Sequence, residues 1–168
     1  MPRLIKNGAV VEDEWQVVGL DAELTDAELP GGKVVVPLQY WKANAQILAE
    51  RSDKFGVWLN SDELAEELGE SAAQLDLIAL HFPGFMDGRG FSTARLLRER
   101  YGFAGELRAI GNIMRDQLCY MRRCGFNSFV LPVGSDLDSA MSSLQDFTEY
   151  YQPGSDQPLP LFQRRNTG

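Results

Sequence analysis

Residues 74–82 read QLDLIALHF and residues 105–111 read GELRAIG, and these two runs decide the fold. Each is short and mostly apolar, which is typical of a buried β-strand. Between them lie a glycine-rich stretch and TARLLRERY (93–101), whose apolar residues recur at helical spacing. A strand, a helix and a second strand in this order predict a right-handed βαβ unit with parallel strands.

The same alternation continues in both directions along the chain. Further strands are predicted at 33–38, 55–60 and 127–132, and further helices at 39–52, 62–69, 112–124 and 136–151. Ser61 is the predicted cap of the helix at 62–69. The pattern indicates an α/β domain of about five parallel strands alternating with helices. Two architectures satisfy it: an open doubly wound sheet, which we favour, and a partial βα barrel that a partner completes.

The two ends of the chain carry different signals. Asn7 and Gly8 separate two β-rich runs, which predicts an N-terminal β-hairpin over about residues 3–19 with a type I′ turn. We expect a single domain over residues 1–151. Residues 152–168 are rich in Pro and Gly and predict a flexible tail, in which LPLF (159–162) suits docking to a partner.

Composition argues against several classes of function. The sequence has no run of about 18 apolar residues, and its first residues turn acidic where a secretory signal is apolar, so we expect a cytoplasmic protein without a membrane span. A net charge of −8 without a basic, aromatic-containing stripe argues against nucleic acid as a partner. His81, Cys119 and Cys124 are too few and poorly spaced for metal binding, so no metal site is predicted.

The charge is nonetheless divided along the chain. Residues 82–125 hold eight arginines and four acidic residues, a net charge of +4, whereas the remainder holds eight basic and twenty acidic residues, a net charge of −12. Every basic residue of the central block is Arg, whose guanidinium pairs with carboxylate, phosphate or sulfate oxygens. Ion pairs on a solvated helix face would explain any one of them. As a group they favour a binding or contact surface.

The first candidate site is the stretch PGFMDGRGFS (83–92), which leaves the carboxyl end of the predicted strand 74–82. Open α/β sheets bind their ligands at this end of the strands. Ser92 is a predicted helix cap, and the free N–H groups of the helix together with Arg89 would favour an anion. Gly88 and Gly90 would allow close backbone approach. Asp87 has three open roles: orienting Arg89, binding a ligand hydroxyl, or bonding to backbone in the turn.

The second candidate site follows the strand 105–111, where Asn112 stands just past the carboxyl end. Arg115, Asp116 and Gln117 occupy the first predicted turn of the next helix. The same helix predicts a buried stripe of Met114, Leu118 and Met121, while Arg122 and Arg123 are predicted partner-docking residues. His81 is either a core-edge histidine or a proton shuttle, and Cys124 is predicted to be buried. The combined anion or ligand candidates are Asp87, Gly88, Arg89, Gly90, Ser92, Asn112, Arg115, Asp116 and Gln117.

The sequence has no Ser–His–Asp order and no Walker loop, so the residues themselves describe an anion-compatible rim and no catalytic constellation.

The stretch FPGFMDGRGFSTARLLRERYGFAGELRAIGNIMRDQLCYMRRCGFNSF (82–129) resembles the signature block of a bacterial family called domain of unknown function 934. KVVVPLQYWKA (33–43), FGVWL (55–59) and YYQ (150–152) add to the resemblance. Asn112 stands where the resemblance leads us to expect Asp.

The resemblance implies a role in assimilatory sulfite reduction, because members of that family are described as oxidoreductases of this process and tend to be encoded beside the sulfite reductase haemoprotein. Three functions follow. In the first, which we favour, the protein is an accessory that docks on the haemoprotein through its arginines. In the second, it is an oxidoreductase or cofactor-binding subunit that binds a small oxyanion, FMN or NADPH, although no cofactor motif is evident. In the third, it is a non-catalytic anion sensor.

Overall fold

A computed structural model describes residues 3–20, 29–83 and 88–150, with the side chains of residues 143 and 145–150 not covered. Asp87 and the predicted tail at 152–168 therefore lie outside the described residues. The strands are β1 (Arg3–Lys6), β2 (Ala9–Glu12), β3 (Gln16–Val17), β4 (Val34–Pro37), β5 (Phe55–Leu59), β6 (Leu77–Phe82), β7 (Glu106–Gly111) and β8 (Ser128–Phe129). The α-helices are α1 (Leu38–Ala49), α2 (Gly88–Glu99), α3 (Leu118–Cys124) and α4 (Leu137–Tyr150).

The described strands form one sheet in the order β2-β1-β8-β7-β6-β5-β4-β3. Strands β3 to β8 are parallel neighbours in chain order, while β1 pairs antiparallel with both β2 and β8. The sheet is thus mixed and has eight strands, not about five parallel ones, although the five predicted strands are present as β4 to β8 and pair in parallel. The favoured doubly wound order was also wrong, because that order reverses at a switch point and this one does not.

The described α-helices all pack against the same face of the sheet. One core cluster joins alternate strand residues, such as Ile78 and Leu80, to residues of α1, α2, α3 and α4. The residues between them on the strands form a second cluster, which contains Val35, Trp58, Leu77, Ala79 and Ile110 and no helical residue. Successive right-handed crossovers between neighbouring strands produce this one-sided arrangement. The partial-barrel alternative therefore describes the sheet better, and the sheet is curled into a half-barrel.

The short connection between β2 and β3 requires a strongly curled sheet. These strands are the two edges, and a flat sheet of eight strands would hold its edges about 34 Å apart. Residues 13–15 are the only link from Glu12 to Gln16, and such a link spans at most about 14 Å. The two edges must therefore approach each other across the helix-free face. A cavity of about 310 Å³ confirms this proximity, because β2 residues and Lys33, which precedes β4, line it together.

The N-terminal hairpin is confirmed, with a smaller range than predicted. Asn7 and Gly8 both have positive φ (52° and 79°), as a type I′ turn requires. The hairpin ends at Glu12, whereas Gln16–Val17 pairs with β4 at the opposite edge.

Two helical predictions were wrong in detail. The segment predicted as the helix 62–69 forms short 3₁₀ turns over Ala65–Glu67 and Gly69–Gln74, so Ser61 caps no helix there. Likewise, α3 begins at Leu118, after a 3₁₀ turn over Arg115–Gln117. The predicted apolar stripe is buried at Leu118 and Met121 but exposed at Met114, because Met114 precedes both helical segments.

A buried ion cluster lies on the helix-free face at the amino end of β7. The Arg108 side chain is 1% exposed; it donates from Nε and Nη2 to Glu106 at 2.9 and 2.7 Å and from Nη1 to Asp13 at 3.0 Å. Lys6 of β1 contacts the other Glu106 oxygen at 3.1 Å. Burial acts to raise the pKa of Glu106, but Arg108 and the hydrogen bonds outweigh it and the net shift is downward. The cluster therefore ties β7 to β1 and to the 13–15 link.

None of the helices within the described ranges is both long enough and apolar enough to cross a bilayer.

We expect Arg108→Ala to lower the free energy of unfolding by about 3–5 kcal/mol, because it removes the buried cation that Glu106 and Asp13 share. Urea denaturation monitored by circular dichroism measures this. The control is Arg100→Ala, an exposed change that should cost no more than about 0.5 kcal/mol. Equal stability of the two variants would contradict the structural role of the cluster.

Because Glu106 has a lowered pKa in the folded state, its ionisation stabilises the fold above the pKa of the unfolded chain. We therefore expect wild-type stability to fall as the pH drops below about 4.5. Glu106→Gln should flatten this part of the pH profile, measured by thermal unfolding at a series of pH values. An unchanged slope would show that other carboxylates control acid unfolding.

Candidate functional site

The carboxyl edge of β5, β6 and β7 brings together a histidine and three neighbours. His81 lies on β6 beside Asn60, which follows β5, with His81 Nδ1 and Asn60 Oδ1 3.0 Å apart. The rings of His81 and Trp58 meet edge-on with centroids 5.7 Å apart. On the other side, an ideal Cβ built on Gly111 would lie 2.9 Å from His81 Cδ2, so the imidazole packs directly against the backbone of β7.

The hydrogen bond to Asn60 fixes the tautomer of His81. Because an amide oxygen only accepts, Nδ1 must donate, and Nε2 of the neutral ring is then an acceptor. Burial lowers the pKa of His81, which keeps the ring neutral near physiological pH. Nε2 is bonded to Cδ2 and therefore lies on the β7 side of the ring, away from Asn60.

A groove of about 410 Å³ lies after the carboxyl end of β7, on the side of the sheet that the helices cover, and contains part of the second candidate site. Asn112 and Arg115 line it together with Ile113, Leu131 and residues that precede α4. The Arg115 guanidinium donates to the Ser139 hydroxyl of α4. The structure therefore brings Asn112 and Arg115 together, while Asp116 is exposed and Gln117 half-buried in the 3₁₀ turn that follows.

The first candidate site has a different local structure from the one predicted. Helix α2 begins at Gly88, so Arg89 and Gly90 belong to its first turn and Ser92 lies inside the helix. The prediction that Ser92 caps this helix was wrong. Gly90 is required by packing, because an ideal Cβ there would lie 2.5 Å from the Phe82 ring. Arg89 is exposed at the same carboxyl edge, since α2 follows β6.

The arginines of the central block are distributed over several environments. Arg98 donates to the backbone carbonyls of Phe103, Gly105 and Gly125, and burial lowers its pKa to about 10. Arg108 lies in the ion cluster on the helix-free face. The two predicted docking residues are half-buried: Arg122 lines a groove near the hairpin turn, and Arg123 lies over the Tyr120 ring. The arginines of residues 82–125 therefore do not form one continuous surface.

The cysteines offer little reactivity. Cys124 is fully buried, as predicted, and burial raises the pKa of both thiols despite neighbouring arginines. Among the described residues, no group of three His, Cys, Asp or Glu side chains is close enough to hold a metal ion.

Sequence reasoning missed Asn60 and Trp58. Asn60 was assigned to the end of a strand, although it follows the carboxyl end of β5 as Asn112 follows that of β7. The rule that selected Asn112 would have selected Asn60 as well. Together with His81, these residues give the edge a neutral hydrogen-bond acceptor that a second side chain orients, which is an arrangement suited to binding or moving a proton.

Gly90→Ala tests the packing of α2. An alanine inside a helix is normally favoured over glycine by about 1 kcal/mol, but here the methyl group would overlap Phe82, so we expect destabilisation by about 1–3 kcal/mol. Chemical denaturation measures the change. Gly31→Ala is the matched control, because an added Cβ there meets no neighbouring atom. If Gly90→Ala were more stable than the wild-type protein, α2 would have to begin at a different residue.

The lowered pKa of His81 predicts a second pH effect. An unfolded chain protonates this histidine more readily than the folded protein does, so stability should decrease as the pH falls below about 6.5. We expect His81→Gln to remove the decrease between pH 6.5 and the onset of carboxylate protonation. Since the chain has one histidine, a single NMR titration curve reports its folded pKa directly. A folded value above 6.5 would contradict the assignment.

Comparison with known proteins agrees with the resemblance. A search of curated proteins found no match. A family model described as "Bacterial protein of unknown function (DUF934)" matches residues 56–162, a range that contains both candidate segments and His81 and excludes the similar stretch at 33–43. As this match covers more than half of the sequence, the chain belongs to the DUF934 family.

Proposed function

We propose that the chain is an accessory protein of assimilatory sulfite reduction that docks on the sulfite reductase haemoprotein. The partner is implied by the resemblance in residues 82–129. One structural observation supports the contact: Met114, next to Arg115 in the chain, is 59% exposed, and Val133 of the β8–α4 connection is fully exposed. We call Met114, Arg115 and Val133 the docking surface.

The chemistry of the docking surface suits a protein partner. Met and Arg are enriched in protein interfaces, and an arginine beside exposed apolar side chains is a common centre of binding energy. The two segments that carry this surface follow the parallel strands β7 and β8, so both lie at the same edge of the sheet. We expect the partner to present an apolar pocket flanked by carboxylates.

The docking surface replaces the predicted pair of Arg122 and Arg123 as the leading contact. Those two side chains are half-buried in the fold of the chain itself, whereas Arg115 is exposed. Charge also favours a contact through Arg115, because the residues outside 82–125 carry a net charge of −12 and would repel an acidic partner.

A second function is supported by the oriented imidazole of His81. A neutral histidine held by Asn60 at the carboxyl edge of the sheet could serve an oxidoreductase or cofactor-binding enzyme that takes up a small oxyanion, FMN or NADPH. In this alternative the haemoprotein need not bind, and ligand addition should raise the melting temperature of the isolated chain.

The docking proposal is tested by measuring the affinity of the purified chain for the sulfite reductase haemoprotein. We expect Arg115→Glu to weaken binding by about tenfold or more, since it replaces an interface cation with a repelling charge. Raising the salt concentration should weaken the wild-type complex, and Val133→Asp should weaken it at any salt concentration. Arg100→Glu is the matched control, an exposed charge reversal just past the carboxyl end of α2.

Either of two results would overturn the proposal. One is the absence of a complex with the wild-type chain. The other is equal weakening by Arg115→Glu and Arg100→Glu, which would indicate a general charge effect and no specific surface.

A further inference from the structure

We propose that the outer side of the helical layer is an interface between two copies of this chain, in which an acidic stripe of each copy meets a basic stripe of the other. The acidic stripe belongs to the β5–β6 connection and consists of Asp62, Leu64, Glu66 and Glu70. The basic stripe belongs to α2 and α3 and consists of Arg95, Tyr120 and Arg123. This interface goes beyond the docking function and does not depend on it, because it uses no residue of the docking surface.

The acidic stripe combines exposed carboxylates with an exposed apolar side chain. Leu64 is 54% exposed, and Glu66, on the 3₁₀ turn that follows it, is exposed as well. The Glu67 carboxylate is already paired with Lys42 at 2.8 Å, whereas the Glu66 carboxylate has no ion pair within the described ranges. A leucine beside carboxylates that still lack a cation suits a protein surface with apolar and cationic side chains.

The basic stripe has the complementary composition. Tyr120 is 46% exposed, and its ring meets the Phe91 ring edge-on with centroids 4.9 Å apart, which orients the phenol. The Arg123 guanidinium lies 5.9 Å from the centre of the Tyr120 ring. Arg95 is 39% exposed and interacts with the Cys124 thiol, as Tyr120 does, so these side chains are neighbours. Tyr and Arg are the side chains that most often carry binding energy in protein interfaces.

The two stripes lie on neighbouring elements of one layer, which makes the surface self-complementary. Helix α2 contacts both the 3₁₀ turn at Ala65–Glu67 and helix α3. All three pack against the same face of the sheet, so their exposed side chains lie on the same outer side. A two-fold axis through α2 would place the acidic stripe of each copy opposite the basic stripe of the other.

Helix α2 repeats this arrangement on a smaller scale. Arg95 and Glu99 are one helical turn apart, and Arg95 Nη1 lies 3.8 Å from Glu99 Oε2. A two-fold axis through the helix would pair it with an antiparallel copy of itself, so that the arginine of each copy could reach the glutamate of the other. The centre of the interface therefore also carries both signs of charge.

Ionic strength decides whether the local attraction prevails. Each copy has a net charge of −8, which opposes association when salt is low. At about 0.15 M salt the Debye length is about 8 Å, so repulsion between the whole molecules is screened while side chains in contact still attract each other. Self-association is therefore measured at this ionic strength.

The experiment is sedimentation velocity on the full chain at about 0.1 mM, a concentration that populates any dimer with a micromolar Kd. We expect a dimer for the wild-type chain. Arg95→Glu and Glu66→Arg should each weaken it about a hundredfold, because a tenfold loss at one contact occurs twice in a two-fold dimer. Lys54→Glu and Glu50→Arg are the matched controls, exposed charge reversals outside both stripes that should leave the dimer unchanged. Circular dichroism confirms that each variant is folded.

Mixing the two interface variants gives the sharpest test. The Arg95→Glu chain presents two acidic stripes and the Glu66→Arg chain carries a base in each stripe, so each repels its own copies. Together, they restore opposite charges at both contacts of a two-fold pair. We therefore expect one-to-one heterodimers in the mixture, which native mass spectrometry distinguishes from homodimers by mass.

Three results would overturn the proposal: a monomeric wild-type chain, a dimer that Arg95→Glu and Glu66→Arg weaken no more than the controls do, or a mixture of these two variants that stays monomeric. None of them bears on docking, because docking is measured with the haemoprotein and through Arg115 and Val133. Conversely, failure of docking would leave the sedimentation of the isolated chain unchanged.

Discussion

The short link at residues 13–15 is the constraint on which the rest of the structure depends. Three residues cannot join the edges of a flat eight-stranded sheet, so the sheet must curl until β2 and β3 approach each other. Asp13 of that link forms an ion pair with Arg108 on the helix-free face, and this contact stabilises the curled sheet. With the helices confined to the outer face, the inner face is left to side chains of the strands and the link.

The inner face is arranged in layers along the strands. Along β6 and β7 the inward residues pair in rows: Leu77 lies beside Glu106 at the amino end, Ala79 beside Arg108 in the middle, and His81 beside Ile110 at the carboxyl edge. The ion pair of Glu106 and Arg108 stabilises the curled sheet, while His81 at the open edge remains partly exposed. This division matches the general behaviour of βα barrels, in which one end supports stability and the other binds ligands.

The sequence predicted most strands and the N-terminal hairpin because these depend on short apolar runs and on a turn with positive φ. It could not predict the order of the strands, since alternation of strands and helices is equally compatible with one-sided and two-sided winding. The prediction of a helix at 62–69 was wrong. The spacing of its charged residues is typical of a helix, but the segment forms 3₁₀ turns. Helix α2 starts at Gly88, before Ser92, because Gly90 lets the helix approach Phe82, a tertiary contact that no local motif reveals.

The same limit explains why arginine enrichment was an imprecise guide to the site. Guanidinium groups suit anions, but they also satisfy several buried carbonyls at once, as Arg98 does, or two carboxylates, as Arg108 does. Both uses produce the same composition. Burial distinguishes the two uses, because an arginine whose N–H groups all donate to acceptors inside the protein has none left for a ligand. Arg115, exposed beside Asn112 and bonded to one hydroxyl, retains that capacity.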